Sequence, residues 1–298
     1  MADPRTLTAD VLRREHPLPV GDDKNGRGRV LVVGGSDRTP GAVLLAGQAV
    51  LRSGAGKVQL FTTAGVATAC AVALPEALVV GGDTTDGTLS PRAARAVADL
   101  AAGVDAVLVG PGLDDVGSAS AFVAELVGAL DGWPGILVLD ALALAHVREH
   151  ADGLAGLRAV LTANDEELFL SLGDDEDDAA SAQAGPADVV RLARRAGAVV
   201  TSGRGPSWVG RPDGGTWRCD AGNPGLGTAG SGDVLAGLVA GFAARSDDPL
   251  AGALWGRYVH GTAGDRLQAR IGPLGFLARE VADEAVHTLT EAQSPTSA

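Results

Sequence analysis

The residues with the most evident chemical potential lie in Asp220-Ala-Gly-Asn-Pro-Gly-Leu-Gly-Thr-Ala-Gly-Ser-Gly-Asp-Val-Leu-Ala-Gly237. The glycine-crowded first part suits neither helix nor strand. The apolar, alanine-rich run from Val234 to Phe242 predicts a buried helix. The junction is therefore a glycine-rich turn feeding a helix N-terminus. Backbone N–H groups lack intrahelical partners there, and the helix dipole adds partial positive charge. Glycine lets a large anion approach the backbone, so the turn is suited to holding a phosphate. A carboxylate in such a turn repels phosphate, and Asp233 needs a reason to be there. It can accept the proton of a hydroxyl that attacks the phosphate. It can also cap the helix, and the two roles are compatible.

The elements that must position this turn follow from composition and periodicity. Hydrophobic residues make up 46% of the chain and aromatics only 3%, so the core must be Val, Leu and Ala. Val-rich runs alternating with Ala/Leu helices predict a mostly parallel α/β sheet with helices on both faces. Strands are expected over 29–35, 57–61, 77–80, 106–112 and 136–140, from 160, and over 198–202. A hairpin pairs 208–209 with 216–217 across a Pro-Asp-Gly-Gly turn. Helices are expected over 8–14 with Thr8 as cap, 42–54, 90–100 with Ser90 as cap, 118–130, toward Leu172, and over 187–196, 249–270 and 276–290. Residues 15–28 read as a connector, and the acidic stretch 173–185 as a solvated loop.

Open α/β sheets bind ligands outside the carboxyl ends of their strands, so the loops there hold the other candidates. Gly34, Gly35 and Gly41, and the pair Gly110 and Gly112, either admit a ligand or make tight turns. Asp140 ends a strand and is either a metal or substrate contact or a cap. Glu166 and Glu167 either reach a hydrated Mg²⁺ or form the acidic first turn of a helix. His146, His150, His260 and His287 are scattered over expected helices and His16 lies in the connector, so core, surface or subunit contacts are expected of all five. Cys70 and Cys219 lie far apart without CxxC spacing and read as a reduced, cytosolic pair. No signal peptide and no bilayer-spanning run is visible. With 24 Lys and Arg against 37 Asp and Glu, the formal charge of −13 argues against nucleic acid and anionic membrane as partners. It leaves room for a small anion held by local N–H groups. These features imply a nucleotide- or phosphate-handling enzyme that uses Mg²⁺.

Gly222-Asn-Pro-Gly-Leu-Gly-Thr-Ala-Gly-Ser-Gly-Asp-Val-Leu-Ala-Gly237 resembles the signature of the ADP/ATP-dependent NAD(P)H-hydrate dehydratases, ribokinase-like partners of the NAD(P)HX epimerases. Lys24-Asn-Gly-Arg-Gly-Arg-Val-Leu-Val-Val-Gly-Gly-Ser36, Thr39-Pro-Gly-Ala42, Leu51-Arg-Ser-Gly-Ala-Gly56, Val109-Gly-Pro-Gly-Leu113 and Val138-Leu-Asp-Ala141 fit the same family in the same order. The resemblance implies a ribokinase-like domain over 24–290, an N-terminal extension over 1–23 and a flexible tail over 291–298. It implies repair of hydrated NADH or NADPH: ADP or ATP phosphorylates the ring hydroxyl, and loss of phosphate restores the dihydropyridine. Asp233 is then the base, ionised at neutral pH because the helix terminus and nearby donors keep its pKa low. The N–H groups of Gly230, Ser231 and Gly232 form the anion hole. Ala42, Gly112 and Asn164 match substrate-contacting positions, as does Asp233. Ser202, Gly203, Arg204, Gly205 and Pro206, with Gly232, match the adenine-nucleotide site.

Several residues depart from the family pattern. Thr162-Ala-Asn-Asp-Glu-Glu167 replaces a Thr-Pro-His-Pro-Gly-Glu segment, so Asn164 stands where the family has His. Thr201-Ser202-Gly203 replaces Leu-Lys-Gly, with Arg204 as the nearby cation, and Leu142 replaces a second Asp. These changes keep two other readings in view: a ribokinase-like kinase of a small alcohol, and a nucleotide-binding protein without catalysis. The resemblance further implies a homo-oligomer in the cytoplasm and a separate epimerase as pathway partner.

Overall fold

The computed structural model describes residues 3–150, 153–154 and 156–294. In chain order the strands are β1 (Arg5–Thr6), β2 (Arg29–Val33), β3 (Lys57–Thr63), β4 (Leu78–Gly82), β5 (Thr84–Thr85), β6 (Thr88–Leu89), β7 (Ala106–Val109), β8 (Ile136–Asp140), β9 (Arg158–Thr162), β10 (Val199–Ser202), β11 (Ser207–Gly210) and β12 (Thr216–Cys219). The helices are α1 (Ala9–Glu15), α2 (Pro40–Arg52), α3 (Ala64–Ala73), α4 (Ala94–Ala101), α5 (Val116–Ala129), α6 (Ala145–Glu149), α7 (Asp165–Leu172), α8 (Glu176–Ser181), α9 (Pro186–Ala196), α10 (Ser231–Ser246), α11 (Pro249–Arg270) and α12 (Ala278–Gln293). β5 and β6 form their own ribbon, and the other strands join one sheet in the order β1-β12-β11-β10-β9-β8-β7-β2-β3-β4. From β10 to β4 every pairing is parallel, whereas β11 pairs antiparallel with both β10 and β12. The expected hairpin and parallel sheet are both present.

Both faces of the sheet are buried because its central strands are apolar at nearly every position. Val30, Val32, Leu108 and Val138 point to the layer holding α2, α10, α11 and α12. Their alternates Leu31, Val33, Val109 and Leu139 point to the layer holding α4, α5, α7 and α9. This is the two-residue strand period applied to central strands. α10 is buried on all sides from Val234 to Ala244, which explains its uniform apolarity. Its glycines permit close helix packing: a Cβ on Gly237 would lie 2.3 Å from Ala46 O on α2, and one on Gly241 2.1 Å from Ser53 Oγ.

Some expectations change. The N-terminal segment supplies β1, which pairs parallel with β12, and α1, whose Leu12 is fully buried. Thr8 caps α1 as expected, its Oγ1 accepting from Val11 N. The connector is tied down where Trp255 Nε1 donates to His16 O at 2.7 Å. A two-residue strand carries no periodic signal, so local pattern could not reveal β1. The acidic 173–185 segment is not all loop: it contains α8, whose Ala179 is fully buried. α12 extends through Gln293, and Glu291 pairs with Arg266. Residues 295–298 of the expected tail lie outside the described residues.

Glycine sterics hold the loops at the carboxyl edge together. Gly110 has φ +138°, and a Cβ there would lie 2.0 Å from Asp140 O. Gly110→Ala is expected to destabilise the fold by about 3 kcal/mol through backbone strain and overpacking. A methyl group added to Gly128 in α5 would meet nothing within 4 Å, so Gly128→Ala is expected to stabilise by about 0.5–1 kcal/mol. Urea denaturation of the two variants checks both signs.

Candidate active site

The loops after β2 and β7 meet first. Gly35 N donates to Pro111 O at 2.7 Å, and Thr39 Oγ1 donates to Gly112 O at 2.7 Å. Gly112 has φ +72°, and a Cβ on it would lie 2.9 Å from Ala42 Cβ and 3.1 Å from Gly35 Cα. Ala42 and Gly112 are therefore neighbours, as a shared substrate contact requires. Ala42 lies in the first turn of α2, and Leu45 follows three residues on, on the same face. A Cβ on Gly230 would meet Leu45 Cδ1 at 2.5 Å and Asp233 Oδ2 at 3.7 Å. One continuous surface thus runs from Gly112 through α2 to Asp233.

The turn itself is wound as a helix start. Gly230 is the N-cap with φ +87°, a conformation glycine adopts freely, and no side chain caps the helix. Val234 N donates to Gly230 O at 3.1 Å, closing the first helical turn. Ser231 N donates to Thr228 O at 3.1 Å. Of the N–H groups expected in the anion hole, that of Ser231 is therefore already engaged within the turn. Gly232 is exposed and meets nothing within 4 Å at its Cβ position.

Asp233 is partly buried, and desolvation pushes its carboxyl up from 3.8 to about 6. The expected low pKa is therefore wrong. Loss of hydration penalises the charged form more than the helix terminus favours it. A base with a pKa near the working pH remains mostly ionised and still binds a proton effectively.

Two further carboxylates lie nearby. Asp140, at the end of β8, is buried, accepts from Thr162 Oγ1 at 2.7 Å and does not cap the following turn. Its pKa is held well above the ordinary range by burial and by the charges of Glu167 and Asp233. Glu167 is raised by burial, with Glu166 and Asp233 adding to the effect. Asn164 is exposed and caps α7: Glu167 N donates to Asn164 Oδ1, and Asn164 N donates to Glu167 Oε2, each at 2.9 Å. The Asn at this position thus fixes the Glu beside the acidic cluster. Glu166 is exposed as part of the acidic first turn.

The nucleotide-loop candidates form one turn after β10. Gly203 and Gly205 have φ +105° and +140°, and the Gly205–Pro206 peptide is cis. Ser202 is fully buried with its Oγ unpartnered, so its side chain does not face this loop's surface and only its main chain is available there. Arg204 is largely exposed, its Nε 3.7 Å from Asp165 Oδ2. A Cβ on Gly205 would lie 3.6 Å from Gly222 O, so this turn abuts the start of the glycine-rich stretch.

The helix expected over 249–270 is present as α11, and it joins these parts, a role that periodicity did not reveal. From α11, the buried Arg257 donates to Thr201 Oγ1 at 2.9 Å and to Gly203 O at 3.3 Å. Burial lowers this guanidinium to about 10. His260 contacts Ser231. Asp265 accepts from Gly222 N and from Asn223 Nδ2, both at 3.0 Å. The available signal was that Arg257, His260 and Asp265 interrupt the Ala, Gly and Leu residues of this helix. Among the described residues, no group of three or more His, Cys, Asp or Glu could hold a metal ion by itself.

A mostly parallel α/β sheet with a glycine-rich turn at the start of a central helix is the ribokinase-like arrangement. The hydroxyethylthiazole kinase of Pyrococcus horikoshii shares the fold, with a TM-score of 0.59 at 16% identity over 89% of each chain. The Bacillus subtilis ADP/ATP-dependent NAD(P)H-hydrate dehydratase, co-crystallised with ATP/Mg²⁺, superposes with a TM-score of 0.82 at 25% identity, over 98% of this chain and 100% of that one. The family model for NAD(P)H-hydrate dehydratase matches residues 30–286, and the chain belongs to that family. The ADP-dependent (S)-NAD(P)H-hydrate dehydratase of Xanthomonas campestris pv. campestris is 48% identical over 283 residues, 94% of each chain. The bifunctional NAD(P)H-hydrate repair enzyme Nnr of Moorella thermoacetica is 34% identical over 94% of this chain and 52% of its own length.

The Asp233 shift makes activity and stability respond oppositely to acid. Any step using Asp233 as base is expected to slow about tenfold per unit below about pH 6. The acid limb of kcat/KM against pH is the check. The folded pKa exceeds the unfolded value, so this group favours the native state below about pH 4, and that contribution is lost as pH rises to about 6. Asp233→Asn is expected to be more stable than the parent by about 1–3 kcal/mol at about pH 8, with the difference shrinking toward about pH 4 in urea titrations.

Proposed function

We propose that this chain dehydrates (S)-NAD(P)H hydrate back to NAD(P)H at the expense of ADP or ATP, with Asp233 as the base. The observation that carries the assignment is the Asp233 carboxylate, partly buried beside the open Gly230–Gly232 turn. The ring hydroxyl loses its proton to Asp233 as its oxygen bonds to the terminal phosphorus of the nucleotide. The bond from that phosphorus to the leaving AMP or ADP breaks. The ring C–O bond then breaks, inorganic phosphate departs, and loss of a ring proton restores the dihydropyridine. The N–H groups of Gly230 and Gly232 stabilise charge on the transferring group. Ala42 and Gly112 form the wall against which the damaged dinucleotide lies, with Asn164 at its edge. The 202–206 turn and Gly232 hold the adenine nucleotide.

The acidic residues suit a Mg²⁺ ion held with bound phosphates. Glu167 and Asp140 are carboxylates raised by burial and by neighbouring carboxylates, which a cation relieves. No protein cage is needed, because Mg²⁺ keeps several waters and binds through one or two carboxylates plus substrate phosphates. When bound, it supplies charge neutralisation for the phosphates. Other parts of the reading rest on single features. β4 is one of the two edge strands of the sheet, and its Leu78 and Val72 of α3 are 59% and 77% exposed, which supports a homo-oligomer. Cys70 and Cys219 are buried and unbonded, which supports a cytoplasmic setting. Fusion of two activities in the Moorella relative supports an epimerase as pathway partner.

Chemically prepared NADHX, Mg²⁺ and either ADP or ATP should give a near-UV rise from the restored dihydropyridine. Asp233→Asn is expected to lower kcat by about 10²–10⁴-fold while nucleotide still binds. Undiminished turnover in that variant would remove Asp233 from the chemistry. Nucleotide binding by the parent without any absorbance rise would point instead to a kinase of another alcohol.

A further inference from the structure

His260 lies buried beneath the phosphoryl turn, only 5% exposed, and none of the roles above uses it. Its Nε2 is 2.9 Å from Ser231 Oγ and 3.0 Å from Ser231 O. A carbonyl oxygen only accepts, so the second contact requires the proton to sit on Nε2. Burial and the neighbouring Arg257 push the imidazole down to about 3, so the ring is neutral and donates from that nitrogen alone. The Ser231 carbonyl and the Gly232 N–H belong to one planar trans peptide group. Holding the carbonyl therefore points the N–H the opposite way, at an exposed residue where an added Cβ would meet nothing within 4 Å. The plane lies in the first turn of α10, and His260 is the side chain that holds its carbonyl. The helix has no side-chain cap, and both residues flanking Ser231 are glycines with wide conformational freedom.

We infer that His260 is a positioning residue: it fixes the Ser231–Gly232 peptide plane so that the Gly232 N–H is aimed at the terminal phosphoryl group of the bound nucleotide. The inference rests on the function proposed above. It differs from a packing role because it requires a donor at Nε2, which a hydrophobic side chain lacks and a glutamine retains.

The test compares the full chain with His260→Ala and His260→Gln, with thermal melting to verify folding. Turnover of NADHX is measured with ADP and ATP, alongside calorimetric affinities for ADP and for AMP. His260→Ala is expected to lose about 10²-fold in kcat, as for a misplaced reacting group, with KM for NADHX unchanged. It should also lose about tenfold in its preference for ADP over AMP, because the terminal phosphate loses a well-aimed donor. His260→Gln is expected to recover both to within about threefold. If the alanine variant does not fold, His260→Leu takes its place, since it fills the volume without a donor. Wild-type kcat and an unchanged ADP/AMP ratio in the donor-free variant would overturn the inference, as would a glutamine variant as impaired as alanine. The affinity ratio does not involve NADHX, so a chain inactive on that substrate whose ratio still shifts would overturn the proposed function while supporting the role of His260.

Discussion

The proposed function puts a carboxylate and a bound phosphate at one helix terminus, and much of the structure answers that constraint. The terminus attracts both anions, yet they repel each other. Here the carboxylate is partly buried, where desolvation raises it to about 6, while Gly232 in the turn is exposed. Burial thus separates the two negative groups in space and lowers the charge of one of them in acid. That arrangement is possible because α10 is enclosed from Val234 onward by the sheet, α2 and α11. A surface helix would leave the same carboxylate hydrated and near its ordinary pKa.

The glycines of this chain serve two different ends. At Gly230, Gly203 and Gly205 the backbone adopts positive φ to form turns. At Gly237 and Gly241 the conformation is ordinary and the requirement is steric, because α2 comes within reach of any side chain. Both uses converge on one result. Close packing leaves α10 little room to shift, and the turn at its start inherits that rigidity.

α11 performs the complementary task from beneath. Arg257 holds the loop after β10, His260 holds the first turn of α10, and Asp265 holds the start of the glycine-rich stretch. One helix thereby sets the spacing between the loop after β10 and the glycine turn at the start of α10. The cost is a buried guanidinium with neutral oxygen partners, which lowers its pKa to about 10.

Local pattern determined much of this protein. Two-residue alternation in central strands, Thr8 and Ser90 at helix starts, and the Asp-Gly-Gly hairpin each act over a few residues, so sequence alone specified them. The Gly230–Asp233 turn was legible for the same reason. Tertiary structure decided what depends on distant neighbours. β1 exists only because β12 offers an edge. The Asp233 pKa follows from the surrounding burial, which no spacing encodes. Ser231 meets His260 across 29 residues and Thr201 meets Arg257 across 56. Such contacts are set by how α11 packs under two loops, and desolvation and hydrogen-bond geometry become defined only once that packing exists.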